Sequence, residues 1–192
     1  RYTGPVEIGK SARFRATALR EGGENASYSR EFAFSKSTGR PAVLNTKPND
    51  SYTFEGASLL VDGYHSRPVF TSGAWLGYLD EPLDVTIDMG GEQSYRSVEL
   101  ETLAEKGDWI FPPSSVTVWV SDNGTDFTEV ASVAVPEAKA GDADGIGRYR
   151  MQFPETSARY LKVVAQNAAA IPAWHPGAGS KGFLFVDEVV VE

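Results

Sequence analysis

The feature that most constrains this chain is a hydrophobic period of two. Leu83, Val85, Ile87 and Met89 alternate with Asp84, Thr86 and Asp88, and Val98 and Leu100 alternate with Glu99 and Glu101. Val116, Val118 and Val120 alternate with Thr117 and Trp119, and Tyr149, Met151 and Phe153 with Arg150 and Gln152. Successive side chains of an extended chain point to opposite faces, so each run makes a strand with one apolar and one polar side. No segment carries apolar residues at helical spacing over a dozen positions. Gly90-Gly91, Pro112-Pro113, Asp122-Asn123-Gly124 and the stretch from Gly141 to Gly147 read as turns between the runs. Many short strands separated in this way predict an all-β sandwich or barrel.

The last run, Phe183 through Val191, is nearly continuous in apolar residues and predicts a central strand buried on both faces. Asp187-Glu188 interrupts it. Strand geometry points these neighbours in opposite directions, so they cannot flank one glycosidic bond as an acid pair. Burying an unpartnered charge is costly, and at least one of the two is expected to face solvent or meet a cation. The opening reads differently. Ala12, Phe14, Ala16 and Ala18 make one strand face; Ala26, Tyr28, Phe32 and Phe34 make most of another after a turn at Glu21-Gly22-Gly23-Glu24. Two or three strands do not form a stable sandwich. Residues 1–38 are therefore read as the last strands of an upstream β-domain, and residues 39–192 as the main domain. Arg1, already in strand-like sequence, is read as the start of an excised piece of a longer protein.

Composition narrows the chemistry. With 18 Lys and Arg against 26 Asp and Glu the net charge is −8, which argues against nucleic acid, whose binding needs a cationic surface, and against anionic lipid. No stretch approaches the ~20 apolar residues of a membrane span, so no membrane insertion is expected. There is no Cys, and His65 and His175 are the two histidines. Thiolate and zinc sites and a Gly-x-Ser-x-Gly nucleophile elbow lack their residues. No catalytic residues are assigned.

Aromatic and polar residues concentrate instead in three loop segments: Tyr64 to Tyr78, Lys106 to Pro112 and Asn167 to Pro176. A sugar offers an apolar C–H face for ring stacking and hydroxyls for His, Arg and Asn, so the candidate carbohydrate contacts are His65, Arg67, Trp109, Asn167, Trp174 and His175. Trp75 and Trp109 are read by preference as plugs at the ends of the core. Trp174-His175, between prolines, is read as exposed. Trp119, out of phase with its valines, belongs on an outer face or under the N-terminal segment. Asp62 in Leu60-Val61-Asp62-Gly63 has two readings: it makes the turn with Gly63, or it offers charge to a calcium ion together with Glu188.

The run from Leu60-Val61-Asp62-Gly63 through Trp75-Leu76-Gly77-Tyr78, Val85-Thr86-Ile87-Asp88-Met89-Gly90 and Val118 to Gly124, continuing through Ala158 to Val163 and Phe185-Val186-Asp187-Glu188-Val189, resembles the discoidin or coagulation factor 5/8 type C fold. That family is a galactose-binding-like jelly roll and includes the family 32 carbohydrate-binding modules. The resemblance implies sugar contacts on the loops at one end of the sandwich. It also implies a structural Ca2+ with Asp62 and Glu188 as side-chain ligands, although the loop Asp62 to Pro68 is longer than the family's short Asp-Gly-Asn. The tail Ile171 to Gly179 followed by Phe185 to Glu188 is similar to the C-terminal end of bacterial family 20 β-hexosaminidases. The opening Tyr2 to Val6 and Arg13 to Leu19 is similar to the end of the fibronectin type III-like domain that follows their catalytic barrel. This implies a non-catalytic carbohydrate-binding module of a secreted β-N-acetylhexosaminidase, located in the periplasm, at the cell surface or outside the cell. Its partners would be glycans ending in N-acetylhexosamine or galactose and the upstream catalytic domain. The alternative is a structural or dimerisation appendage that binds no sugar.

Overall fold

The computed structural model describes residues 2–23 and 25–192. Arg1, and Glu24 in the expected turn at 21–24, lie outside the described residues. The strands are β1 (Ala12–Ala18), β2 (Ala26–Phe32), β3 (Ala42–Leu44), β4 (Leu76–Tyr78), β5 (Leu83–Ala104), β6 (Ser115–Ser121), β7 (Thr128–Ala134), β8 (Gly145–Gln166) and β9 (Leu184–Val191). Four short 3-10 turns, Asp50–Tyr52, Gly56–Val61, Phe70–Ser72 and Lys106–Asp108, complete the regular structure. The expected β-sandwich is present.

β5 and β8 organise it. Each has 22 residues, and they pair antiparallel along their length, Leu83 to Asp88 with Ala165 to Tyr160 and Ser97 to Ala104 with Gln152 to Gly145. The ladder shifts register between these two stretches. On one side of the shift the pair extends to β3 and to β6 and β7; on the other it extends to β9 and β4. Two strands thus bend from one layer into the other. Val85, Ile87, Val118, Leu161 and Val163 from the first layer and Val98, Leu100, Met151 and Val189 from the second share one buried cluster. Asp84, Thr86 and Asp88 stay half-exposed, as the period of two requires.

Gly90-Gly91 is where the turn expectation fails. The strand continues through it, because a bulged bend needs the same glycine freedom as a turn. Gly90 has φ 79°, and a Cβ there would lie 2.8 Å from the Arg40 guanidinium. The runs at 149–153 and 158–163 are likewise one strand. β9 lies between β4 and β5 and is buried on both faces from Leu184 to Val189, as expected.

β1 and β2 pair only with each other. The hairpin joins the sandwich through a bridge between Phe32 and Tyr64 and a hydrogen bond from Ala33 N–H to Gly63 O at 2.7 Å. Lys36 N–H then donates to Val191 O and Ser37 Oγ to Val189 O, so residues 36–37 already run beside the last strand. Trp119 is half-buried on the outer face of its layer, with the Lys162 ammonium 5.5 Å from its ring centroid.

Candidate functional site

Three connections, residues 105–114, 135–144 and 167–183, run between the ends of the two layers and close one end of the sandwich. Their aromatic residues meet there. Trp109 has the left-handed φ of 65° and packs its indole against Gly177, where an added Cβ would come within 2.7 Å of the ring. It is 42% exposed rather than a core plug. The core plug is Trp75, fully buried, with Nε1 donating to Arg67 O at 3.0 Å. Trp174 is 40% exposed, as expected, and its Nε1 donates to Ala138 O at 3.0 Å.

His175, expected to share that exposure, is only 8% exposed. Its Nε2 lies 2.9 Å from Lys106 O, and Gly177 N–H lies 3.1 Å from Nδ1. A carbonyl only accepts and an N–H only donates, so the ring proton sits on Nε2. Trp109, Phe111 and Trp174 all meet this imidazole edge-on, with centroids 5.8, 5.5 and 5.6 Å away. The histidine is a buried hub that fixes two half-exposed tryptophans. Lys106 ties the 105–111 loop to the next: its ammonium pairs with Asp144 and donates to Asp142 O at 2.9 Å. An apolar groove of about 350 Å3 adjoins the aromatics, lined among others by Phe111, Pro112, Pro136, Ile171 and Pro172. Asn167 has a different task. Its Nδ2 donates to Tyr78 O and Leu79 O at 3.1 and 3.3 Å, pinning the 167–183 loop to the end of β4.

The second concentration of chemistry is on the flank, where Gly56–Val61 packs against β3 and β9. Asp187 and Glu188 are 1% and 0% exposed, so neither faces solvent. Nor do they stand back to back. Thr102 pairs with Val186 and Leu100 with Val189, leaving the two acids opposite Glu101 alone. This bulge breaks the alternation, and both carboxylates meet the same loop. Glu188 Oε1 accepts from Gly63 N–H at 3.2 Å and Asp187 Oδ2 from Ser66 N–H at 2.7 Å. Glu188 Oε2 is buried with no partner among the described residues. Asp62 Oδ1 accepts from Tyr64 N–H at 2.7 Å, the turn expected beside Gly63. Asp187 is raised to about 8 and Glu188 to about 10, chiefly by burial, with the neighbouring Asp62 charge contributing to both. Asp62 is also raised, by burial. Glu101 differs. Burial opposes its charge, but hydrogen bonds from His65 Nδ1 at 2.9 Å and Arg148 Nε at 2.8 Å outweigh it and lower its pKa. The same bond to Glu101 raises His65.

The six candidate sugar contacts therefore divide. Trp109, Trp174 and His175 come together; Asn167 braces their loop; His65 and Arg67 line a separate cavity with Arg30 and Arg148. Phe111 and the Lys106–Asp144 tie were not anticipated. Their signal was proximity in sequence to Trp109 and a lone lysine in an aromatic loop, which is too little to assign a role.

Residues 45–181 match the family model of the F5/8 type C domain. The chain belongs to the F5/8 type C family. Among solved structures, this F5/8 type C chain is similar to a Clostridium perfringens module, CpGH89CBM32-5, in complex with GalNAc-β-1,3-galactose (16% identity, 79% of this chain and 93% of that one, TM-score 0.51). It is similar to chitosan-binding module 2 of a Paenibacillus sp. IK-5 chitosanase/glucanase, in complex with chitotriose (17%, 82% and 98%, TM-score 0.52). It is also similar to a Streptococcus pneumoniae fucose-binding module (22%, 82% and 94%, TM-score 0.50). The shared property is the fold, that of carbohydrate-binding modules. No curated protein matches the sequence. Among the described residues no helix is long and apolar enough to cross a membrane.

The calcium ligands that the family implies, Asp62 and Glu188, both lie on this flank. No cluster of three or more His, Cys, Asp or Glu side chains forms a metal cage among the described residues. A hard cation, however, takes backbone carbonyls as readily as carboxylates. Glu188 Oε2 is such an acceptor, buried and without a partner among the described residues, and the Asp62 and Asp187 charges reach it. The residues present fit the ion.

Proposed function

We propose that this F5/8 type C domain is a non-catalytic carbohydrate-binding module, with Trp109 and Trp174 as its stacking platform. The observation that carries the reading is that both indoles are about two-fifths exposed yet held fast, one against Gly177 and one by Ala138 O. A fixed ring loses little rotamer freedom when a sugar covers it, so more of the stacking energy appears as affinity. His175 acts beneath the surface as a positioning residue. The sugars bound by the similar modules, a GalNAc-galactose disaccharide, chitotriose and fucose, support a glycan ligand. Terminal N-acetylhexosamine or galactose is the proposed class, and the proposed setting is a secreted β-N-acetylhexosaminidase whose catalytic domain precedes this region. A single weak site of this kind acts by raising the local concentration of substrate.

Asp62 and Glu188 are proposed to hold a structural Ca2+. Bound there, the ion would neutralise carboxylates that the fold otherwise buries without a counter-charge, and the 62–66 loop backbone would complete its shell.

The test is calorimetric titration with N-acetylglucosamine, N-acetylgalactosamine and galactose. Binding by at least one, lost in Trp174→Ala, is expected; no heat at millimolar sugar defeats the reading. Incubation with a chromogenic N-acetylglucosaminide is expected to release no product. The appendage reading draws on one observation, the exposed Tyr2, Val6 and Tyr28 on the N-terminal segment. Concentration-dependent dimerisation in sedimentation, without sugar binding, would favour it.

A further inference from the structure

A second cavity, of about 780 Å3, lies between the β1–β2 hairpin and the 64–67 loop, and Arg13, Arg30, Arg67, Arg148, Tyr64 and His65 line it. So many cationic side chains are unexpected in a chain of net charge −8. Three are already compensated. Arg13 pairs with Glu31 at 3.1 Å, Arg148 with Glu101 at 2.8 Å and Glu99 at 3.8 Å, and His65 with Glu101 at 2.9 Å.

Arg30 and Arg67 are not. Neither forms an ion pair among the described residues. Arg67 is exposed, whereas Arg30 is half-buried, its guanidinium 3.6 Å from the Tyr64 ring centroid. Its Nε is closed off from solvent and has no acceptor among the described residues. Stacking on the ring offsets part of the loss of hydration, but a guanidinium withdrawn from water without a counter-charge still lacks its anion. The Arg30 charge reaches Asp62, but that carboxylate already accepts from Tyr64 N–H and makes no ion pair with Arg30.

A guanidinium presents a planar fork of N–H donors that matches a carboxylate edge to edge. The cavity is much larger than one small anion, and its volume lies within the roughly 300–1,000 Å3 of small-molecule sites. Ser29 and the exposed Arg13–Glu31 pair add donors and acceptors suited to hydroxyls. We propose that this cavity is a second binding site, for a saccharide bearing a carboxylate, a uronic acid, with Arg30 and Arg67 supplying the charge. It shares no lining residue with the apolar groove beside the tryptophans, so it stands independently of the platform proposed above.

The experiment is calorimetric titration of the full 192-residue chain with a glucuronate-β-1,3-N-acetylglucosamine disaccharide and with the same disaccharide carboxyl-reduced. The uronate form is expected to bind about ten-fold or more tightly than the reduced form, to weaken as salt is raised, and to lose about ten-fold in Arg67→Gln. Arg30→Gln should lose as much; because it also disturbs the Tyr64 stack, the exposed Arg67 carries the decision. Trp174→Ala is expected to leave the uronate isotherm in place. Equal affinity for acid and reduced forms, no heat with either, or no loss in Arg67→Gln would overturn the proposal. Displacement by inorganic sulfate at the same concentration as the uronate would reduce it to a bare anion site, and loss of uronate binding in Trp174→Ala would return the ligand to the platform.

Discussion

The aromatic end and the acidic flank of this domain handle polar chemistry in opposite ways. At the aromatic end the buried charge and the buried imidazole are both partnered: His175 uses both ring nitrogens, and Lys106 holds Asp144 and Asp142 O; the one side-chain amide oxygen without a partner among the described residues there is Asn167 Oδ1. Its exposed apolar surface is carried by the Trp109 and Trp174 indoles. On the flank, Glu188 keeps an oxygen without a partner and three carboxylates crowd one loop. In the functions proposed above, the first region takes a ligand with C–H faces and the second is completed by positive charge.

The sharpest way to break this contrast is to withdraw divalent cations. Chelator is expected to lower the melting temperature and calcium to restore it. Calcium at ~100 times its dissociation constant adds about 2.7 kcal/mol, roughly 5–10 °C in a domain of this size. An equal response in Glu188→Ala would place the ion elsewhere. The pH dependence sharpens the same point. Asp187 and Glu188 rise from ordinary values of 3.8 and 4.5 to about 8 and about 10. The folded chain then retains protons that the unfolded chain releases, so the cation-free protein loses stability as pH rises above about 4 toward 8–10. Thermal scans in chelator at about pH 5 and about pH 8 should therefore show the lower transition at the higher pH, with calcium removing the difference. A flat profile in chelator would show that the acids are not frustrated.

At the aromatic end, His175→Ala should cost about 2 kcal/mol in denaturant unfolding, because Lys106 O and Gly177 N–H are left unpaired. It should also weaken sugar binding although the histidine makes no contact with solvent-facing ligand. Trp174→Ala should reverse that ranking, losing roughly ten-fold in affinity, about 1.4 kcal/mol, with little change in melting. Smallest is Asn167→Ala, about 1 kcal/mol of stability; an effect on sugar affinity larger than that would show Asn167 to be a direct contact.

The layers were legible because a period of two survives any register. Leu83 to Met89 and Val116 to Val120 announce their inward faces without reference to their neighbours. What escaped was set by partners far away in sequence. Whether Gly90-Gly91 turns or merely bends depends on β8 continuing beside it. Asp187 and Glu188 share a side because one residue, Glu101, stands across from two. Trp109 is exposed because its φ is positive and Gly177 lets the ring lie flat on backbone; nothing local to Trp109 says so. His175 is buried where Lys106 O accepts a hydrogen bond from its ring N–H. In each case the missing fact is a contact between residues at least 60 positions apart, the kind that residue type and spacing do not encode.

Because β5 and β8 each belong to both layers, neither layer is a separable piece of architecture. A chain break in the bend near Gly90, or a slip of one residue there, would misalign both sets of pairings at once. Assembly must also wait until the stretch around residue 160 finds the stretch around residue 86, so the two layers rise and fall as one cooperative unit and at the slow pace of distant strand pairing. The continuity that makes the domain indivisible in space also denies it any half-formed refuge in time.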